Sequence, residues 1–185
     1  MRIACFSLLL ILLPALGAKP NVVFFFIDDM GWTDLGYMGS KYYESPHVDQ
    51  LAKDGMVFMN AYAAAPNCAP SRACLMSGQY SPRHGVYTVA NSDRGSAKHR
   101  KLIPTKNTTH LAEKFVTMGE ALQTGGYVTA TMGKWHLGDD PTTQGFDVNI
   151  AGKSWGSPSG GGYHSPYKYP NLEQKEKGEY LTDRL

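Results

Sequence analysis

Charge of either sign is scarce in this chain. Of its 185 residues, 18 are Lys or Arg and 16 are Asp or Glu, a formal net charge of only +2. That is too near neutrality for an electrostatic hold on nucleic acid. The densest basic stretch, Arg94 to Lys106, lacks interleaved aromatics and reads as a solvated loop rather than a nucleic-acid surface. Long apolar runs are also missing. The single one, Ile3 to Leu13, is shorter than the roughly 20 residues a membrane-crossing helix needs, so no stable membrane span is expected. Cysteine is nearly absent, with three in the chain: Cys5, Cys68 and Cys74.

What opens the chain has the three parts of a secretory leader: charge at Met1-Arg2, the apolar run, then the small residues Pro14 to Ala18. Residues 1–18 are therefore expected to be a signal peptide, cleaved after Gly17 or Ala18, and the protein to be exported, periplasmic or secreted. Cys5 lies ahead of the cleavage region, which argues against a lipoprotein. Cleavage leaves Cys68 and Cys74. A disulfide between them is the ordinary reading for an exported chain. If Pro70 to Met76 is helical, however, the separation is awkward for a bridge, and Cys74 reads as a small buried apolar residue.

Patterning predicts alternating strands and helices, hence an α/β fold. Asn21 to Ile27 is a continuous apolar run that reads as a strand covered on both faces. Ser45 to Gly55 reads as a helix with Ser45 capping and Pro46 in its first turn. Met56 to Tyr62 reads as a second strand. Apolar residues at 111, 115, 118 and 122 predict a helix ended by Gly125-Gly126, followed by a strand over Tyr127 to Met132. From 152 to 171 the chain is rich in Gly, Ser, Pro, Tyr and Lys, cannot form a core, and reads as disordered or as an ordered substrate-facing loop. Glu179 to Leu185 looks like the opening of another helix. His47 and His84 receive no role, and the glycosylation acceptor pattern at Asn107-Thr108-Thr109 is discounted.

Three places carry chemistry. Asp28-Asp29 falls at the carboxyl end of the first predicted strand, where ligands bind in open α/β sheets. Paired carboxylates there suit a hard divalent cation, though they fit a solvated turn as well. Both can meet one ion only if the backbone turns, which Gly31 would permit. Pro70 pre-sets a helix over Ser71 to Met76, so Cys68 stands at its positive end beside Arg72, where a thiolate or an oxyanion is favoured, though an ordinary cysteine at a loop-helix junction fits the spacing as well. Alternation after the 127–132 strand puts Lys134 and His136 on one side and Trp135 on the other, so a cation and an imidazole could reach one crevice, though a surface lysine and a packed, hydrogen-bonded histidine fit the pattern as well.

Read together, Cys68-x-Pro70-Ser71-Arg72 with Leu75-Met76 and Gly78 resembles the signature of the type I, formylglycine-dependent sulfatases, arylsulfatase-like members of the alkaline-phosphatase-like superfamily. Gly126-Tyr127 through Gly133-Lys134-Trp135-His136 resembles that family's second signature, with Met132 a mild departure, and Gly145-Phe146-Asp147 resembles its following turn. The resemblance implies a mostly parallel central sheet with helices on both faces. It implies hydrolysis of a sulfate ester, a sulfated carbohydrate or an aryl sulfate, by a formylglycine that a formylglycine-generating enzyme makes from Cys68. Asp28, Asp29 and the group derived from Cys68 would hold Ca2+, or alternatively Mg2+. Arg72 would stabilise the aldehyde hydrate, Lys134 would neutralise sulfate oxygens, and His136 would orient or deprotonate the hydrate. The resemblance further implies that an Asp-Asn pair, a histidine and a lysine lie beyond Leu185, so that 19–185 is the N-terminal part of a catalytic domain with an incomplete sheet. Two other readings stay open: a phosphatase or phosphodiesterase of the same superfamily, disfavoured because those present serine or threonine as nucleophile, and a non-catalytic remnant.

Overall fold

A computed structural model describes residues 19–158 and 162–185. The expected leader, 1–18, lies outside the described residues. So does the centre of the 152–171 loop.

Among the described residues, five short α-helices and two strands alternate with long connections: α1 (Pro46–Asp54), α2 (Cys68–Ser77), α3 (Ser81–His84), α4 (Met118–Thr124), β1 (Ala130–Met132), β2 (Val148–Ile150) and α5 (Leu181–Arg184). The strands pair in parallel, Ala130 facing Val148 and Met132 facing Ile150. The connection between them carries the Gly133 to Gly138 stretch and a single 3-10 turn, Pro141–Gln144.

Local chemistry explains where the elements begin. Ser45 precedes α1 with Pro46 at its first position, and the Gly55 amide closes it on Leu51 O. In α4, Thr117 Oγ1 accepts from the Glu120 amide while the Glu120 carboxylate accepts from the Thr117 amide, a reciprocal capping box. Thr117 Oγ1 also donates to Gln144 O at 2.7 Å, tying α4 to the turn before β2.

The main core gathers Ala69, Ala73 and Met76 of α2 with Val86, Leu111, Trp135, Leu137 and Phe146. Trp135 is 1% exposed and meets Phe146 edge to face, ring centroids 5.6 Å apart. At about 25 cal/mol per Å2, an aromatic side chain that buries about 150–250 Å2 contributes about 4–6 kcal/mol. This anchor lies between Lys134 and His136, so the same residue that fixes the core fixes the site.

Several expectations are corrected. Residues 21–27 and 56–62 form no strands, and most of their side chains stand in solvent: Phe25 is 82% exposed and Tyr62 86%. A strand is completed by its neighbours' hydrogen bonds, and among the described residues the only ladder joins β1 and β2. The predicted 111–123 helix starts seven residues later, because Thr117 caps it there while Leu111 turns into the core from a loop. Helix α2 starts at Cys68 rather than beyond Pro70. Pro70 is tolerated inside its first turn because an amide there has no intrahelical acceptor. The 152–171 segment does contribute to a core: Tyr167 packs with Ala151, Leu172 and Leu181 in a second, smaller cluster.

Candidate active site

Helix α2 supplies Cys68 and Arg72. Asn67, in extended conformation, precedes the helix, and the first helical bond runs from Ser71 N to Asn67 O. Cys68 is half-buried at the first helical position, and Cys74 is buried one and a half turns on; both thiols are free. Cys74 Sγ lies 3.4 Å from His84 Nε2, and His84 Nδ1 accepts from Val86 N at 3.1 Å, so the ring is neutral with its proton on Nε2. Burial accordingly holds the His84 pKa below its ordinary value.

Arg72 is 6% exposed, and each end of its guanidinium is used. One nitrogen donates to Lys134 O, another stands 3.7 Å from Asp28 Oδ1, and the group lies 4.9 Å from the Phe26 ring centroid. Burial lowers its pKa, while Asp28 and Cys68 oppose that shift. Lys134 Nζ donates to the other oxygen of Asp28. One carboxylate thus joins two cations brought from α2 and from the end of β1.

His136 follows with its backbone in the left-handed region, φ 61°, and its amide donates to Lys153 O at 2.8 Å. Burial, then the charges of Lys134 and Arg72, lower its pKa against the pull of Asp28. The imidazole is therefore neutral near pH 7, the form that accepts a proton.

Asp29 also takes a left-handed backbone, φ 54°. The backbone turn after Asp28 is thus made by Asp29 itself and not by Gly31; aspartate is among the few residues that tolerate this conformation. Gly31 instead approaches Asp34, whose carboxylate accepts from its amide at 2.7 Å. A cleft of about 290 Å3 is lined by Phe26 to Met30 on one side and by Pro66, Asn67, Cys68 and Ser71 on the other. Asp28, Asp29 and Cys68 thus line one cleft, and Asp28 connects it to Arg72 and Lys134.

The donor chemistry fits a hard cation. Asp28 and Asp29 both line the cleft, and the Lys134 ammonium already stands on the Asp28 carboxylate as a positive charge. Asn67 Oδ1, a further oxygen at the cleft wall, is buried without a hydrogen-bond partner. No three His, Cys, Asp or Glu side chains among the described residues stand close enough together to hold a metal by themselves. A larger cleft of about 750 Å3 contains none of these groups. Its charged lining, Glu113, Asp139 and Asp140, would repel an anion.

Sequence reasoning missed the supports of this arrangement. Asn67 Nδ2 donates to Thr88 Oγ1 at 3.2 Å. The Thr88 segment is held by Asn107, whose Oδ1 accepts from Tyr87 N at 2.7 Å and Thr88 N at 3.1 Å, and whose Nδ2 donates to Thr88 O at 3.0 Å and to Ala90 O. An asparagine directly before a helix is a recognisable cap signal and could have pointed to Asn67. Nothing local marks Asn107 as a tie.

The fold is of the α/β class, and the comparisons give its family. The sulfatase family profile matches residues 20–184, and the chain belongs to that family. It is 44% identical over 147 residues to a sulfatase of Formosa agariphila, covering 72% of this chain and 26% of that protein. It is 38% identical over 151 residues to the N-acetylgalactosamine-6-sulfatase of Mus musculus, covering 75% of this chain and 28% of that one. Among solved structures, Ps i-CgsB in complex with k-i-k-neocarrahexaose superposes with a TM-score of 0.61 at 30% identity, over 84% of this chain and 37% of that one. The chain spans about a quarter of the length of the curated relatives it matches. No helix among the described residues is long and apolar enough to cross a membrane.

Proposed function

We propose that residues 19–185 form the N-terminal part of the catalytic domain of an exported sulfatase that hydrolyses sulfate esters, with 1–18 as its leader and 152–171 as a loop facing substrate. The observation that carries this is the convergence of Arg72 and Lys134 on Asp28, with a neutral imidazole at His136 and Cys68 in the adjoining cleft. Two fixed cations suit a sulfate group, and a neutral imidazole suits removal of a proton from an attacking hydroxyl.

In this reading Cys68 is converted to formylglycine by a formylglycine-generating enzyme, and the hydrated aldehyde supplies the nucleophile. One geminal hydroxyl attacks sulfur as the alcohol departs; loss of the second hydroxyl's proton then expels sulfate and restores the aldehyde. His136 takes up a proton in this cycle, Lys134 neutralises sulfate oxygens, and Arg72 stabilises the alkoxide beside the helix start. Asp28 and Asp29, with the oxidised side chain of residue 68, would hold Ca2+, with Mg2+ the alternative. Such an ion supplies Lewis-acid polarisation of nearby oxygens. The glycan-acting relatives and the aromatic 152–171 loop favour a sulfated carbohydrate over a simple aryl sulfate.

The test combines chemistry and turnover. Mass spectrometry of the tryptic peptide Asp54 to Arg72 from the native source should show an aldehyde in place of the Cys68 thiol. Sulfate and phosphate esters of one leaving group should separate, with sulfate preferred, and Cys68→Ala should abolish turnover. An intact thiol in an active protein, or activity surviving Cys68→Ala, would sink this mechanism.

A further inference from the structure

The loop after β2 closes back over His136. Besides the bond from the His136 amide to Lys153 O, Gly156 lies against the imidazole itself: a Cβ there would stand 2.7 Å from Cε1, 3.0 Å from Nε2 and 3.4 Å from Nδ1. The Gly156 backbone lies outside the left-handed region, so its conformation does not demand glycine; the ring does. Both sides of the strap are anchored. Ser154 Oγ donates to Asp139 Oδ1 at 3.0 Å, and the Trp155 ring packs 5.1 Å from that of Tyr169.

Imidazoles that work in active sites are usually held by a hydrogen bond at the second ring nitrogen. His136 Nδ1 is buried and has no such partner among the described residues. Its ring rotation must therefore come from packing, and the face of Gly156 is what packs against it. We propose that Gly156 is a positioning residue for His136: the bare Cα of the 153–156 strap sets the imidazole's orientation in place of a hydrogen-bonded orienter. This rests on His136 acting in the chemistry proposed above. It also makes the substrate-facing loop and the catalytic imidazole one mechanical unit.

Ordinary carbon contacts lie at about 3.5–4.0 Å, so a Cβ at 2.7 Å displaces the ring by about 1 Å. Displacement of that size costs roughly 100-fold in rate. In the full protein, Gly156→Ala should lower kcat on an aryl sulfate roughly 100-fold with little change in KM, and should change nothing further in a His136→Ala background, where no ring remains to push. Unchanged kcat, or losses that multiply in the double variant, would overturn the proposal. Urea midpoints of the same four proteins give a second readout that needs no substrate. Gly156→Ala should lower the midpoint beside His136 and not beside Ala; equal lowering in both backgrounds overturns the contact. A wild type without turnover overturns the underlying sulfatase reading, and the proposal with it. That failure is recognisable because the urea cycle is independent of it.

Discussion

Asn107 makes four hydrogen bonds to one loop, two as acceptor and two as donor, and Asn107→Ala removes all of them at once. Each such bond contributes about 0.5–1.5 kcal/mol net. The four sum to about 2–6 kcal/mol; Tyr87 and Thr88 are only half-buried, so water re-bonds part of what is left unpaired and holds the loss to about 2–4 kcal/mol. For a chain of this size 1 kcal/mol moves Tm by about 2–4 °C, which gives a fall of about 4–16 °C. Urea unfolding followed by tryptophan fluorescence reads the loss, because one of the three rings, Trp135, is buried in the core and becomes exposed. Thr109→Ala is the matched control. It destroys the glycosylation pattern but leaves the amide's four bonds, and as an exposed surface change it should stay within about 0.5 kcal/mol of wild type. A loss below about 0.5 kcal/mol for Asn107→Ala, or equal losses for the two variants, would refute the view that Asn107 is a structural tie.

Two further outcomes are expected. His84 and His136 both have folded pKa values held below the ordinary 6.5, so the unfolded chain takes up protons first. Stability should be full above about pH 6.5 and fall as pH drops below it; urea midpoints that rise on acidification would contradict this, and His84→Asn, which keeps an acceptor for Val86 N, should flatten part of the slope. Lys134→Ala removes an ammonium that competes for Asp28, so calorimetric Ca2+ affinity should rise by about tenfold, worth about 1.4 kcal/mol, even as sulfate turnover falls; weaker Ca2+ binding would refute the competition.

How far the chain could be read in advance followed how local each determinant was. Helix α1 was legible because Ser45, Pro46 and Gly55 mark its ends within ten positions. The strand before Lys134 was legible through its β-branched run, although only its last three residues pair. Helix α4 was placed too early because periodicity at 111 and 115 outweighed a capping box at Thr117 and Glu120 that states the true start. Strand β2 left no signal: Val148-Asn149-Ile150 is extended because β1 lies beside it. The same holds at the site. Residue types at Asp28, Asp29, Cys68, Arg72, Lys134 and His136 were readable one by one. That Lys134 stands on Asp28, that Asp29 makes its own turn, and that Gly156 touches His136 are facts of three-dimensional approach.

The bare segments 22–27 and 56–62 have a practical meaning for anyone who produces this chain. Val22, Val23, Phe24, Phe25 and Ile27, like Met56, Phe58, Met59 and Tyr62, present apolar side chains next to backbone that no ladder occupies. Such stretches are templates for pairing between molecules, the same geometry that seeds cross-β aggregates, and no proline or charge interrupts 22–27. Exposed in this way they are expected to pair between molecules, which light scattering of the purified chain would read. Yield and solubility will therefore be governed by these two ribbons rather than by the well-packed neighbourhood of Trp135.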